Sequence, residues 1–139
     1  VLGSDTNFTK MIYNFKFNFR KFTSNSQKQI SYHSVASLTV IPSRGESIPQ
    51  FSVETILCKN PVVAYNIGGL NEVIYHKKNG YLAKSFDTED FAKGIKFCLN
   101  KNLKFNIKYF RNKVINKFNK KKTLKNYRDV ISKIDLDHK

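Results

Sequence analysis

The feature that most constrains this chain is an alternation. Short apolar runs rich in β-branched residues take turns with longer segments whose apolar residues repeat at helical spacing. Leu38–Ile41, Pro61–Tyr65 and Tyr81–Ala83 are the short runs. Each is too brief for a helix and is fenced by Pro, Gly or Asn, so each reads as a strand. The helix-period segments between them have the length a crossover needs. Strand, helix, strand in that order is the signature of parallel βαβ units, so the predicted fold class is α/β with a parallel sheet flanked by helices. No internal repeat competes with this reading.

Local signals mark the elements. Ile12–Phe19 is a candidate strand. Ser24 or Asn25 can cap a helix to about Ser34, with Ile30 and Tyr32 available to pack. Pro42 stops the first clear strand, and Ser43–Pro49 is a loop. A helix runs from about Gln50 to Cys58, with Pro49 at its start, where a missing N–H does no harm. Gly68-Gly69 opens a short helix near Leu70–Ile74, and Asn79-Gly80 is a turn. Asp87 caps a helix with apolar positions Phe91, Ile95, Cys98 and Leu99, and Asp90 is placed to reach back to a free N–H. Two more stripes follow, Phe110/Val114/Phe118 and Leu124/Tyr127/Ile131/Ile134, with Lys120–Lys122 expected to be a solvated break.

Composition narrows the function classes. With 40% apolar and 25% charged residues over 139 positions, the chain can bury a core and supplies one domain or one lobe. No apolar run approaches the roughly 20 residues of a membrane-spanning helix, and no signal-peptide pattern is expected. Cys58 and Cys98, 40 residues apart, lack metal-ligand spacing and read as reduced, buried thiols. His33, His76 and His138 share no ligand spacing, so no metal is expected, and His33 reads as a surface or boundary residue. Most of the 12 phenylalanines fall on core-facing stripes. The charge of +15 is uneven: residues 1–34 hold 5 basic against 1 acidic, 35–100 hold 7 against 6, and 101–139 hold 13 against 3. A cationic tail suits nucleic acid, an anionic lipid surface or simple solubility.

The stretch from Pro42 to Glu54 carries the chemistry. A strand ends, a loop follows, and a helix begins near Gln50. Ligands of open parallel sheets bind outside the carboxyl ends of strands. A helix start adds free N–H donors and a positive dipole end suited to phosphate. Glu46 lies in the loop and Glu54 one turn into the helix, and helical side chains lean toward the N-terminus. One carboxylate could accept from ribose hydroxyls while the other meets a sugar. A capping carboxylate beside an unrelated surface Glu is the plainer alternative.

The residues around that pair resemble a family. Val40-Ile-Pro-Ser-Arg44, Glu46 with seven residues before Glu54, Pro61-Val-Val-Ala64, Gly68-Gly-Leu-Asn-Glu72 and Asn79-Gly-Tyr-Leu-Ala83 occur in order. Together they resemble the C-terminal, nucleotide-sugar half of GT-B enzymes of glycosyltransferase family 4. His76–Ala83 and Ile48-Pro49 are similar to branches that build bacterial surface polysaccharides. The resemblance implies a Rossmann-like sheet closed by C-terminal helices, with residues 1–104 a partial donor domain and 105–139 basic helices. It implies that Glu46 contacts the donor sugar as the catalytic carboxylate and that Glu54 holds the ribose. Ile48, Pro49, Gln50 and Phe51 would cradle the pyrophosphate, Ser43 and Arg44 would line the crevice, and Gly68-Gly69 would let strand and helix meet closely. It further implies a nucleotide diphosphate sugar donor, retention of anomeric configuration, no cofactor or metal, and a cytoplasmic site at the inner membrane face. The acceptor, a glycan or a lipid-linked glycan, would be met by an N-terminal domain, and the family's early Arg and Lys would precede Val1. The sequence opens without Met, which reads as a fragment, and without that basic pair and the acceptor domain this polypeptide alone is expected to transfer no sugar and to bind the donor nucleotide weakly if at all. Pro49 and Lys59 stand where many members have Gly, so Lys59 or Asn60 must take a left-handed cap. A nucleic-acid or anionic-membrane binder is the alternative, though the chain carries no known nucleic-acid motif and nucleic acid is not expected as a partner.

Overall fold

A computed structural model describes residues 23–100 and 105–136. The candidate strand Ile12–Phe19 lies outside them. Three strands, β1 (Thr39–Ile41), β2 (Val62–Tyr65) and β3 (Gly80–Ala83), form a parallel sheet in the order β1-β2-β3. The register sets Val40 beside Val63 and Val63 beside Tyr81. Helices α1 (Ser26–Val35) and α2 (Gln50–Leu57) flank β1, α3 (Thr88–Cys98) follows β3, and α4 (Ile107–Lys117) and α5 (Lys120–Leu136) end the described chain.

Alternation along β2 explains the layers. Every β2 residue is buried, because successive side chains point to opposite covered faces. On one face Val62 and Ala64 join Ile41, Ile56, Leu70, Val73, Ile74 and Val114. On the other, Val63 and Tyr65 join Tyr81, Ala83, Phe91 and Cys98. The apolar run Pro61–Ala64 is thus the centre of the protein. Burying one such aliphatic side chain contributes about 1.5–3 kcal/mol. Burial also pushes the Cys98 thiol up to about 11, so it stays protonated at neutral pH.

Several local expectations are corrected. Asn25 alone caps α1, accepting from the Lys28 N–H at 3.0 Å. Ile30, Tyr32 and Val35 are exposed, and the residue of α1 that packs inward is His33. In α3 the buried residues are Phe91, Gly94 and Cys98, while Leu99 is half exposed. Asp87 does cap α3, its carboxylate accepting from the Asp90 N–H at 2.9 Å. Asp90 does not reach back; it accepts from the Tyr81 hydroxyl and the Lys84 N–H, each at 2.8 Å. Those two donors, the Lys84 amide foremost, hold the Asp90 carboxyl below its ordinary value. The turn before β3 spans residues 77–79, with Lys77 at φ +60°, so Asn79-Gly80 does lead from turn to strand. Asn79 is also a buried tie, its amide accepting from Tyr75 N–H and donating to the Val73 carbonyl. Cys58 is only partly buried. Phe51, Phe86 and Phe118 are exposed, because each lies at an edge of the layers rather than between them.

The basic tail also differs. Lys120–Lys122 is not a break but the first turn of α5, and Asn119 caps it by accepting from Lys121 N–H at 2.9 Å. Three cations at a helix N-terminus oppose the macrodipole, a cost that water and salt soften. Leu124, Tyr127, Ile131 and Ile134 all stay exposed. Among the described residues, no helix is long and apolar enough to cross a membrane.

Candidate functional site

The candidate site is assembled at the start of α2. Pro49, with φ −66°, stands at the cap position, and its carbonyl accepts both the Ser52 N–H at 2.9 Å and the Ser52 hydroxyl at 2.7 Å. The helix therefore begins without an acidic side chain in its first turn. The amides of Gln50 and Phe51 precede any residue whose N–H can bond back within the helix, so they point outward as donors. At the other end Lys59 takes the left-handed conformation, φ +68°, as the missing glycine required. The Arg111 guanidinium of α4 donates to the Leu57 carbonyl at 2.9 Å and ties that end down.

Gln50 and Glu54 are four residues apart, so they share one stripe of α2, and Val53 stands between them. With Ile48 before the helix and Phe118 from the end of α4, they line an open depression of about 390 Å³. The structure thus brings Ile48, Gln50 and Glu54 of the predicted residues together. Ser43, Arg44 and Glu46 lie on the loop that leads into α2, partly or fully exposed. Arg44 stacks on the Phe86 ring, its guanidinium carbon 5.2 Å from the centroid. Phe51 is not among the residues lining the depression; its ring meets His33, ring centroids 4.6 Å apart.

The loop is held from behind by the glycine pair. Gly68 has φ +51°, and a Cβ there would stand 1.7 Å from the Glu46 carbonyl oxygen. At Gly69 a Cβ would lie 2.6 Å from the Ser47 carbonyl, and the Gly69 N–H donates to that same oxygen at 2.5 Å. The pair is architectural: it opens the 3-10 helix that follows β2 and also packs against the Glu46–Ile48 loop. Glu72, at the end of the same 3-10 turn Gly68–Glu72, pairs with Lys117 at 2.6 Å on the surface.

Two participants escaped the sequence reading. Phe118 was legible as the third member of the α4 stripe, but Phe110 and Val114 are buried and Phe118, beyond the core, forms a wall of the depression. His33 is 3% exposed, fully buried rather than at the surface or boundary position expected of it. Its Nδ1 lies 2.9 Å from the Thr55 hydroxyl and its Nε2 lies 3.6 Å from a Glu54 oxygen. No pattern in the sequence announces this. Among the described residues no group of three or more His, Cys, Asp and Glu is gathered for a metal ion.

Comparison with known proteins agrees with this architecture. The described fold is that of GT-B glycosyltransferase structures. Anabaena HepE, solved in complex with UDP, superposes with a TM-score of 0.70 at 22% identity, covering 83% of this chain and 32% of that one. Sucrose-phosphate synthase of Thermosynechococcus elongatus gives 0.67 at 22% identity, covering 83% and 30%. The family described as "Glycosyl transferases group 1" matches residues 9–123. The chain belongs to that family. Curated relatives include an uncharacterized glycosyltransferase of Haemophilus influenzae, 30% identical over 70 residues, which are 50% of this chain and 20% of the relative. Another is the D-inositol 3-phosphate glycosyltransferase of Thermobifida fusca, 36% identical over 63 residues, which are 45% of this chain and 14% of the relative. The chain therefore spans about a fifth or less of the length of these relatives.

Proposed function

We propose that this chain is the donor-binding part of a retaining, family 4 type glycosyltransferase that takes a sugar from a nucleotide diphosphate. The observation that carries the reading is the start of α2: outward amides, no acidic residue in the first turn, and Gln50 and Glu54 on one stripe beside a depression. The pyrophosphate lies against the amides of the Ile48–Phe51 segment, where the helix dipole favours an anion. Pro49 contributes no N–H, so Gln50 and Phe51 supply the donors. Glu54 accepts hydrogen bonds from the ribose hydroxyls. Glu46 approaches the donor sugar and acts as the catalytic carboxylate, while Ser43 and Arg44 line the crevice. Membership of the glycosyl transferases group 1 family supports the reaction class. The UDP bound to Anabaena HepE supports a nucleoside diphosphate as the donor's leaving group.

Departure of a nucleoside diphosphate is the step that needs help, and stabilising its developing charge is the main lever for such transfers. Helix amides supply part of that stabilisation, and further cations must supply the rest, because Glu46 and Glu54 add negative charge nearby. No cofactor or metal is part of this proposal. Glycan or lipid-linked acceptors, polysaccharide synthesis and a cytoplasmic place at the inner membrane face complete the reading, with acceptor contacts made by a further domain. We expect no sugar transfer by residues 1–139 alone; turnover of UDP-glucose by that polypeptide would contradict the division of labour. The site is tested by titrating the chain with UDP. Glu54→Gln should weaken binding about tenfold, the scale of a hydrogen bond to a charged group, and unchanged affinity would remove Glu54 from the site.

The basic tail favours a second, non-exclusive role at anionic lipid. Each Lys or Arg near such a surface contributes on the order of 1 kcal/mol. Vesicle binding that ignores anionic lipid content would exclude it.

A further inference from the structure

His33 is the one buried histidine among the described residues, and it lies directly behind the ribose-side carboxylate. It sits in the last turn of α1, and its ring is fixed from several sides. Nδ1 meets the Thr55 hydroxyl at 2.9 Å, and that hydroxyl also meets Thr39 Oγ1 at 3.3 Å. The Phe51 ring tilts against the imidazole at 54°. The His33 carbonyl accepts from the Asn60 side-chain amide. Thr55 and Phe51 of α2 thus touch the imidazole itself, while Thr39 meets the Thr55 hydroxyl and Asn60 ties the His33 backbone. Only Nε2 is left over, and it faces Glu54 Oε2 at 3.6 Å, an ion-pair distance rather than a direct hydrogen bond.

The two sides of this contact differ in freedom. The Glu54 side chain is 41% exposed and the His33 side chain 4%. An exposed glutamate samples several rotamers, and ordering it on binding carries an entropic cost. A fixed polar group behind one carboxylate oxygen narrows that sampling. Among the described residues, no Lys or Arg side chain stands within ion-pair distance of Glu54.

We propose that His33 is a positioning residue for Glu54: it holds Oε2 from inside the protein and leaves Oε1 to receive the ribose hydroxyls. The inference rests on the donor-site reading and extends it to a residue in a different helix. The Thr55 hydroxyl can donate either to the Phe51 carbonyl at 2.8 Å or to Nδ1; the arrangement proposed puts the proton on Nε2, facing the carboxylate, and turns the Thr55 hydroxyl to Nδ1 and away from that carbonyl. His33 touches no part of the nucleotide; its effect passes through Glu54.

Two substitutions separate positioning from scaffolding. His33→Asn keeps an amide near the Nδ1 position, and with it the Thr55 contact, but has no atom at Nε2. His33→Gln extends an amide to the Nε2 position and loses Nδ1. The experiment measures UDP affinity of the full 139-residue chain by NMR titration, beside thermal unfolding of each variant. His33→Asn should weaken UDP binding about threefold to tenfold while His33→Gln stays within about twofold of the unmutated chain. Combined with Glu54→Gln, His33→Asn should add nothing further. Normal UDP binding by His33→Asn, equal losses in both variants, or a full extra loss in the double variant would each overturn the proposal. Should His33→Asn fail to fold, the unmutated ring still reports: Glu54→Gln must shift the His33 imidazole resonances, and an unmoved ring overturns the contact. A full Glu54→Gln effect with an unaffected His33→Asn removes only this inference. A Glu54→Gln variant that binds UDP as well as the unmutated chain removes the donor-site reading as well.

Discussion

Helices α3 and α5 carry the same kind of sequence pattern and meet opposite fates. Both have apolar residues at helical spacing on an otherwise polar surface. In α3, Phe91 and Cys98 are buried against Tyr65, Tyr81 and Ala83. In α5, Leu124, Tyr127, Ile131 and Ile134 remain 47–64% exposed. Periodicity tells where an apolar face lies on a helix, but only the surrounding chain decides whether that face finds a partner. For α3 the partner is a sheet face lined by Val63 and Tyr65; for α5 the described residues offer none.

The sharpest way to break this contrast is to truncate the buried face. Phe91→Ala should cost about 3–5 kcal/mol, the range for removing a core aromatic, seen as a large fall in the unfolding midpoint. A loss below 1 kcal/mol would mean that α3 is no better anchored than α5. Next in size is Gly68→Ala, which sets a side chain against the Glu46 carbonyl at a left-handed backbone position. Overpacking of that kind costs about 1–3 kcal/mol, and the amide resonances of the Glu46–Ile48 loop should move most. A variant as stable as the parent, with an unmoved loop, would show that the glycine pair does not brace the site.

Asp90→Asn probes the polar seam between α3 and β3. Its folded-state value lies below the ordinary 3.8, so the carboxylate stabilises the protein above pH about 4 and loses that contribution as pH falls through the lowered value. The variant should lose about 1 kcal/mol at neutral pH, and the stability difference from the parent should shrink as acid protonates the parent's Asp90. A pH-independent difference would contradict the assignment. The smallest effect belongs to α5. Ile131→Ala should change stability by no more than about 0.5 kcal/mol, and a loss near that of Phe91→Ala would reveal a packed partner for this helix.

How far the sequence could be read follows the same physics. The strands were legible because Val62–Tyr65 is short, β-branched and continuous, which only a strand covered on both faces satisfies. The cap at Asp87 was legible because local backbone chemistry dictates it, and the left-handed cap, open between Lys59 and Asn60, because the resemblance puts a glycine there; the structure places it at Lys59. Local rules failed where a distant partner intervened. Asp90 had a capping role available but is claimed by Tyr81 and Lys84 from β3 and the turn beyond it. Asn79 is the turn residue it looked like, and also a buried tie between Val73 and Tyr75 that the turn signal does not announce. His33 reads as a surface or boundary residue, and it is buried because α2 brings Thr55, Phe51 and Glu54 against it. The stretch Glu46–Glu54 could be singled out because a strand end, a loop and a helix start follow in order. Which of its side chains face one depression depends on helical phase, on Phe118 and on the packing of α4 over α2.

The most direct test of the central claim is a residue-by-residue map of backbone amide shifts as UDP is added to the chain at near-physiological salt. The account predicts that the amides of Ile48, Gln50, Phe51, Ser52 and Glu54 move together and saturate with one affinity. Shifts confined to the lysines of α5, fading as salt is raised, would contradict it, because they would assign anion binding to the basic tail and leave the start of α2 without a ligand.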